Sequence, residues 1–413
     1  MREIPRIISV DDHVVEPPHV WEQWLPEKYR DHGPKVVRRG IRDIDYVGTA
    51  RYVEHFDDDS PTKVDCWTYG DLVYTHKRMV AAAGYSKEEM TLTPITYDDM
   101  RPGCYDPEAR LEDMDVSWVE ASMCFPTFPR FCGQTFYDGP DKELGLACVK
   151  AYNDWMVEEW CGGSGGRLIP LGIIPLWDVN AAAAEVRRNA ERGFRAVCFS
   201  ELPYHLGLPT IHSGHWDPFF QACADTGTVV AMHIGSSSQM PAASPDAPPS
   251  VSATLAFGNA MSSLVDFLMS GVLVRFPDLK LLYAESQIGW IPYALQRVDQ
   301  VWEDNQGWAR TKHIPEPPST YYYRSVYGCF INDPHGLASL AEVGVDNVTC
   351  ETDYPHSDST WPDTKEIVTR LVAGLTEDQV YRVVRGNAIR ALRLPFERQP
   401  REGLQRGPRA APA

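Results

Sequence analysis

The feature that most constrains this fold is an alternation: eight short, mostly apolar runs recur along the chain, and helical segments separate most of them. The runs are residues 7–10, 120–125, 168–174, 196–199, 229–233, 280–284, 327–331 and 348–351. Such lengths suit strands rather than helices, and strands joined through helices pair in parallel. Eight of them in series predict an α/β fold, a (β/α)8 TIM barrel.

Helix starts support the reading. Asp106-Pro107 places an N-cap before a proline at the first helical position, Asp178 caps an alanine-rich helix that stops near Gly193, and Trp216-Asp217-Pro218 opens another that stops at Gly227. Between the first two strands, residues 21–101 lose barrel periodicity, and an insertion that long predicts a cap over the pocket. Residues 236–259 are rich in Ser, Pro and Ala and read as a second loop arching over the mouth. One barrel domain is expected over residues 1–396, with a disordered tail at 397–413.

With 43% hydrophobic and 23% charged residues, the 413-residue chain has the composition of a soluble globular protein. No stretch reads as an unbroken apolar membrane span, and the first residues lack a signal-peptide pattern, so a cytoplasmic location is expected. The ten cysteines form no Cys-x-x-Cys pair and several lie in apolar runs, as reduced core residues do. A formal charge of −18 argues against nucleic acid or an anionic membrane as partner and leaves a small-molecule substrate.

The chemistry collects at strand ends. Asp11-Asp12-His13 follows the first run, and alternation puts Asp11 and His13 on one face with Asp12 on the other. His233 ends the fifth run, and Asp353 lies just past the eighth. Two imidazoles and two carboxylates at one barrel rim form a mixed N/O donor set for a divalent ion, zinc first and manganese as the alternative. Taken singly, a histidine at a strand end is more often structural, and Asp-Tyr-Pro is often only a turn. Joint placement on the first, fifth and eighth strands is what points to a metal.

Glu285, past the sixth run, is a candidate for proton transfer or metal binding; its bland alternative is a salt bridge to Arg297 or a helix cap. His356 is a candidate neighbour of Asp353 or proton shuttle. The catalytic candidates are therefore Asp353, Glu285 and His356. Pro17-Pro18 turns the chain at Glu16, so that carboxylate is expected to face solvent. His205, His212 and His215 read as surface or lid residues, and Arg101, Arg130 and Trp361 are not placed.

At Asp11-x-His13, Arg110-Leu-Glu-Asp-Met114, Met232-His233-Ile234-Gly235, Thr352-Asp353-Tyr354-Pro355 and Gly386-Asn387-Ala388 the chain resembles the amidohydrolase superfamily. Within it the likeness is to the amidohydrolase-2 branch of aminocarboxymuconate-semialdehyde and resorcylate decarboxylases. That resemblance implies Asp11, His13, His233 and Asp353 as metal ligands, a homodimer, and a metal-dependent non-oxidative decarboxylase of a small aromatic or unsaturated carboxylic acid. One departure matters: where the branch usually has His-Gly-Gly after the sixth strand, this chain has Glu285-Ser286-Gln287. Alternatives therefore stay open: a hydrolase of an amide, ester or lactone, a hydratase, or a barrel that only binds ligand.

Overall fold

The computed structural model describes residues 3–48 and 51–396. The tail expected to be disordered, 397–413, lies outside the described residues. In chain order, β1 is Ile7–Val14, and an insertion then supplies β2 (Lys35–Gly48), β3 (Arg51–Phe56), β4 (Lys63–Tyr69) and β5 (Leu72–Thr75). The remaining strands are β6 (Val119–Pro126), β7 (Leu168–Ile169), β8 (Leu171–Gly172), β9 (Ala196–Cys198), β10 (Val229–His233), β11 (Leu281–Ala284), β12 (Val326–Phe330) and β13 (Val348–Cys350).

The larger sheet runs β7-β6-β1-β13-β12-β11-β10-β9-β8, and its neighbours pair in parallel. Its two ends are halves of one segment, separated only by Pro170. Proline has no N–H to give the ladder, so the third strand breaks there. Leu168 and Ile169 pair back to β6, while Leu171 and Gly172 pair forward to β9. That split strand closes the sheet into the eight-stranded barrel that the alternation predicts.

The helix caps are as expected: Asp106 accepts from the Ala109 N–H at 2.8 Å, and Asp178 from Asn180 and Ala181 at 3.0 Å each. Each such cap contributes about 1 kcal/mol. Gly227 ends its helix at φ +64°, a conformation costly for residues with a Cβ.

The insertion between β1 and β6 is itself a sheet, antiparallel in the order β3-β2-β4-β5. Trp67 of β4 stacks on Phe128 (4.9 Å, 26°) and meets Trp21 edge-on (5.0 Å, 89°), which pins the sheet to the segment after β6. Aromatic pairs of this kind contribute about 0.5–1.5 kcal/mol each beyond burial. The Tyr46 hydroxyl donates to the Ala247 carbonyl at 2.8 Å, joining the insertion to the loop after β10.

Two expectations change here. The stretch read as loop up to residue 259 is helical from Pro249, with Pro249–Leu255 running on towards Phe257–Ser270; proline is tolerated in a first helical turn. Pro249–Ser270 is also, by length and composition alone, long and apolar enough to cross a membrane, at mean hydropathy 1.2 over its apolar window, which the sequence reading did not see. In the barrel it buries Ala260, Leu264, Phe267 and Leu268 and turns Asp266 outward to His212, as a half-buried core helix does.

Candidate metal centre

β1 shifts register against β6 between Ser9 and Asp12, and beyond that shift its side chains separate to two sides. Asp11 and His13 face the barrel mouth, while Asp12 enters a separate buried nest of donors from Ser9, Ser122, Thr352 and Tyr354. The backbone continues that alignment past β13: the Asp353 N–H donates to Asp11 O at 2.9 Å and the His13 N–H to Tyr354 O at 2.7 Å. Asp353 and Glu285 both have left-handed backbones, φ +50° and +52°. Non-glycine residues hold that conformation at a cost, and such strain clusters at functional sites.

Four side chains converge. His13 Nε2 lies 3.7 Å from Asp11 Oδ1 and 3.2 Å from Asp353 Oδ1, and His233 Nε2 lies 3.4 Å from Asp11 Oδ2. Two overlapping donor groups result, Asp11/His13/His233 and His13/Asp353/His356, with His13 shared. Both carboxylate oxygens of Asp11 and of Asp353, with Nε2 of His13 and His233, are buried and lack a hydrogen-bond partner in the protein. Buried polar atoms are rarely left so, and atoms of lone-pair type aimed together fit a cation.

The electrostatics agree. His233 Nδ1 bonds the Ile234 carbonyl at 2.6 Å, which as a donor leaves Nε2 with its lone pair outward. Burial lowers His233 to about 4 and holds His13 well below the usual imidazole range, so both rings are neutral, the ligand form. Asp11 is pushed well up by burial and then by Glu351, Asp353 and Glu285. Burial also works to raise Asp353, but His356 and His13 outweigh it and hold that carboxyl low.

Glu285 does not reach Arg297. Its Oε2 lies 3.1 Å from His233 Nε2, and its backbone N–H donates to Glu351 Oε2 at 2.9 Å. Burial, then Asp353, keeps the Glu285 carboxyl well above its ordinary range. His356 Nδ1 sits 3.2 Å from Asp353 Oδ1, and its ring stacks on His13 (3.6 Å, 17°).

Glu16 overturns its expectation. It is fully buried, accepting from the Thr127 N–H at 3.0 Å and the Phe128 N–H at 2.9 Å, because β6 ends beside it and presents those amides. Burial raises it to about 7. His205, His212 and His215 stay away from the cluster, as do Arg101, paired with Asp113 at 2.6 Å, and Arg130, near Asp138 at 3.4 Å. Trp361 lies under the Arg101 guanidinium at 4.7 Å.

Sequence reasoning missed three residues. Glu351 is buried behind Glu285 and raised by burial to about 8; its spacing of two from Asp353 was the available signal. Glu201 accepts from the Gly235 N–H at 2.9 Å and the Ser237 hydroxyl at 3.0 Å, bracing the turn after His233. Phe131 stacks on His233 (4.1 Å, 12°), a contact no local pattern announces.

A family model described as amidohydrolase, of the amidohydrolase-2 type, matches residues 19–394. The chain belongs to the amidohydrolase-2 family. The match begins after β1, so the geometry of Asp11 and His13 is an observation independent of it. This amidohydrolase is therefore an enzyme, and its donor set suits a divalent metal. Its fold is similar to that of an amidohydrolase from Mycobacterium avium subsp. paratuberculosis K-10, at TM-score 0.68 and 19% identity over 95% of this chain and 100% of that one. It is also similar to a 5-carboxyvanillate decarboxylase from Novosphingobium aromaticivorans, solved with manganese and 4-hydroxy-3-methoxy-5-nitrobenzoic acid (TM-score 0.57, 19% identity, 70% and 81% coverage). A third similar structure is a 2,6-dihydroxybenzoate decarboxylase from Rhizobium (TM-score 0.58, 14% identity, 95% and 100% coverage).

Proposed function

We propose that this amidohydrolase is a metal-dependent carboxy-lyase that removes CO2 from a small aromatic or unsaturated carboxylic acid. Asp11, His13, His233 and Asp353 would hold the ion, and zinc or manganese fits their donors. When bound, a divalent ion there supplies Lewis acidity for the substrate's carboxylate and a neighbouring oxygen, and steadies developing charge.

The observation that carries the reading is the pairing of those unpartnered donors with a carboxyl placed beside them, Glu285, 3.1 Å from His233. A protonated Glu285 is a general acid at the mouth. As the bond from the substrate's carbon to its carboxylate breaks and CO2 departs, the electron pair left on carbon takes the Glu285 proton. Glu351 fixes the position of Glu285 through its backbone N–H. His356 steadies Asp353 from the solvent side. Similar folds in decarboxylases solved with manganese support this choice of reaction class.

One observation favours hydrolysis of an amide, ester or lactone as a second reading. Glu285 stands where the decarboxylases that the sequence resembles carry a histidine, and a carboxylate there can serve as a base for water.

The test is to load the protein with manganese or zinc and assay hydroxybenzoic acids, 2,6-dihydroxybenzoate and 5-carboxyvanillate among them, beside a panel of esters, lactones and amides. CO2 release from an acid, lost in Glu285→Gln, is the expected result. Acid production from the esters with no CO2 from any acid would replace the first reading by the second.

A further inference from the structure

The opposite end of the barrel holds a cationic cavity with no part in the metal centre. Lys280, Arg324, Arg390 and Arg393, with Asp278 and Asp346, line about 470 Å³ of space. Lys280 directly precedes β11, Arg324 lies just before β12, and Asp346 lies just before β13, so the cavity opens at the amino ends of these strands. His233, Glu285 and Asp353 lie at the carboxyl ends. β10 alone rises about 13 Å between those two levels.

The cations are short of counter-charge. Asp346 is already shared between Arg382 (2.8 Å) and Arg390 (3.1 Å). The other three cations donate to carbonyls, Lys280 Nζ to Arg324 O at 2.8 Å, Arg324 to Leu273 O at 2.6 Å, and Arg393 to Thr226 O at 2.6 Å, and the Arg324 guanidinium also lies over the Tyr321 ring at 4.9 Å. Among the described residues none of these three has a carboxylate within 4.0 Å. Burial and then the neighbouring Arg324 depress the Lys280 ammonium, and Asp278, which acts the other way, does not outweigh them. In a chain of net charge −18 an anion finds little attraction elsewhere, so this cavity is a local exception to the protein's field.

We propose that this cavity binds a multivalent oxyanion, either free phosphate or the phosphate group of a small ester. Fixed guanidinium forks and an ammonium suit a phosphate's several acceptor oxygens, and charge-assisted bonds are the strong class. Cavity volume lies in the range of small-molecule sites, so an ester's organic part also fits, with the half-exposed Tyr323 ring as a wall.

The test titrates metal-loaded protein calorimetrically with inorganic phosphate and with phenyl phosphate, against sodium chloride of equal ionic strength. Saturable binding is expected, weakened about tenfold or more in Lys280→Gln and Arg324→Gln. Arg324→Lys, which keeps the charge, should retain part of it. Asp353→Asn, altered at the mouth, should bind as the unaltered protein does. Phenyl phosphate binding more tightly than phosphate identifies an ester as the ligand, and equal affinities identify the free ion. Circular dichroism melts confirm that the Lys280 and Arg324 variants fold. Absence of saturable binding at millimolar anion would overturn the proposal. So would binding that survives both glutamine variants, or that vanishes with Asp353→Asn and so belongs to the metal.

Discussion

Asp12 offers a test of the metal site that leaves every proposed ligand in place. Its Oδ1 accepts from Ser9 Oγ at 3.1 Å, Thr352 Oγ1 at 2.5 Å and the Tyr354 N–H at 3.0 Å, and its Oδ2 accepts from Ser122 Oγ. One carboxyl group thus ties β1 to β6 and to the segment bearing Asp353. Asp12→Asn keeps one acceptor oxygen but turns an amide towards Ser122, and Asp12→Ala removes all four bonds, although the Ser9 hydroxyl still has Asp11 O at 3.1 Å and the Thr352 hydroxyl has Ser9 Oγ at 3.4 Å. At about 1–1.5 kcal/mol net per bond, alanine should cost about 4–6 kcal/mol of stability and asparagine about 2. Asp11, His13 and Asp353 flank these bonds, so metal affinity should fall about tenfold or more. Urea unfolding measures the first quantity and competition with a chromophoric chelator the second. The control is Glu120→Gln, which breaks the Arg385 pair (2.6 and 3.0 Å) outside the cluster and should cost about 3 kcal/mol. If Asp12→Asn weakens metal binding no more than Glu120→Gln does, the claim that Asp12 sets the donor geometry is wrong.

Glu285→Gln should lower turnover about a hundredfold while metal affinity stays nearly unchanged, as separate kinetic and chelator titrations would show. Phe131→Ala removes the ring stacked on His233 and should cost about 1–2 kcal/mol together with a measurable loss of metal affinity. Glu16 is raised to about 7 from an ordinary 4.5, so its folded form prefers the proton: its contribution is complete below about pH 4.5 and is lost as pH rises to about 7, an effect of about 3 kcal/mol. Stability measured from pH 5 to 8 should therefore fall less steeply in Glu16→Gln than in the unaltered protein. Stripping the metal with a chelator should lower the melting temperature, by the equivalent of about 4 kcal/mol for metal at a thousand times its dissociation constant.

The barrel was legible because its strands are short apolar runs punctuated by caps, and those signals are local. Asp11, His13, His233 and Asp353 stood out because alternation and strand ends announce which residues reach a rim. The antiparallel sheet of the insertion was not legible. Its strands, such as Lys-Val-Val-Arg-Arg at Lys35 and Lys-Val-Asp-Cys-Trp at Lys63, are charged, and Trp67 finds its aromatic partners in Trp21 and Phe128, remote along the chain. Glu16 was misjudged for the same reason. Pro17-Pro18 does turn the chain, but the turn delivers the carboxylate to the amides of Thr127 and Phe128, and no neighbour in sequence reports that. Residues 249–255 were misread because Ser and Pro favour loops when weighed singly, while Pro248 and Pro249 here sit where helices accept them.

The sheet order explains why the centre forms where it does. β1 and β13 are neighbours, so Asp11 and Asp353 arrive side by side although separated by most of the chain. β10 lies four places from β1 in either direction around the closed barrel, directly across the mouth. His233 nevertheless comes within 3.4 Å of Asp11, so donors from opposite walls meet over the axis rather than along one edge. Glu285 and Glu351 add their carboxyl groups to this meeting point, where both raise Asp11 and where Asp353 and Glu351 raise Glu285. A cation at that point would therefore do two things at once: offset a crowd of buried carboxyl groups and clamp the barrel across its diameter. No local motif contains that geometry; it follows from closing the ring at Pro170.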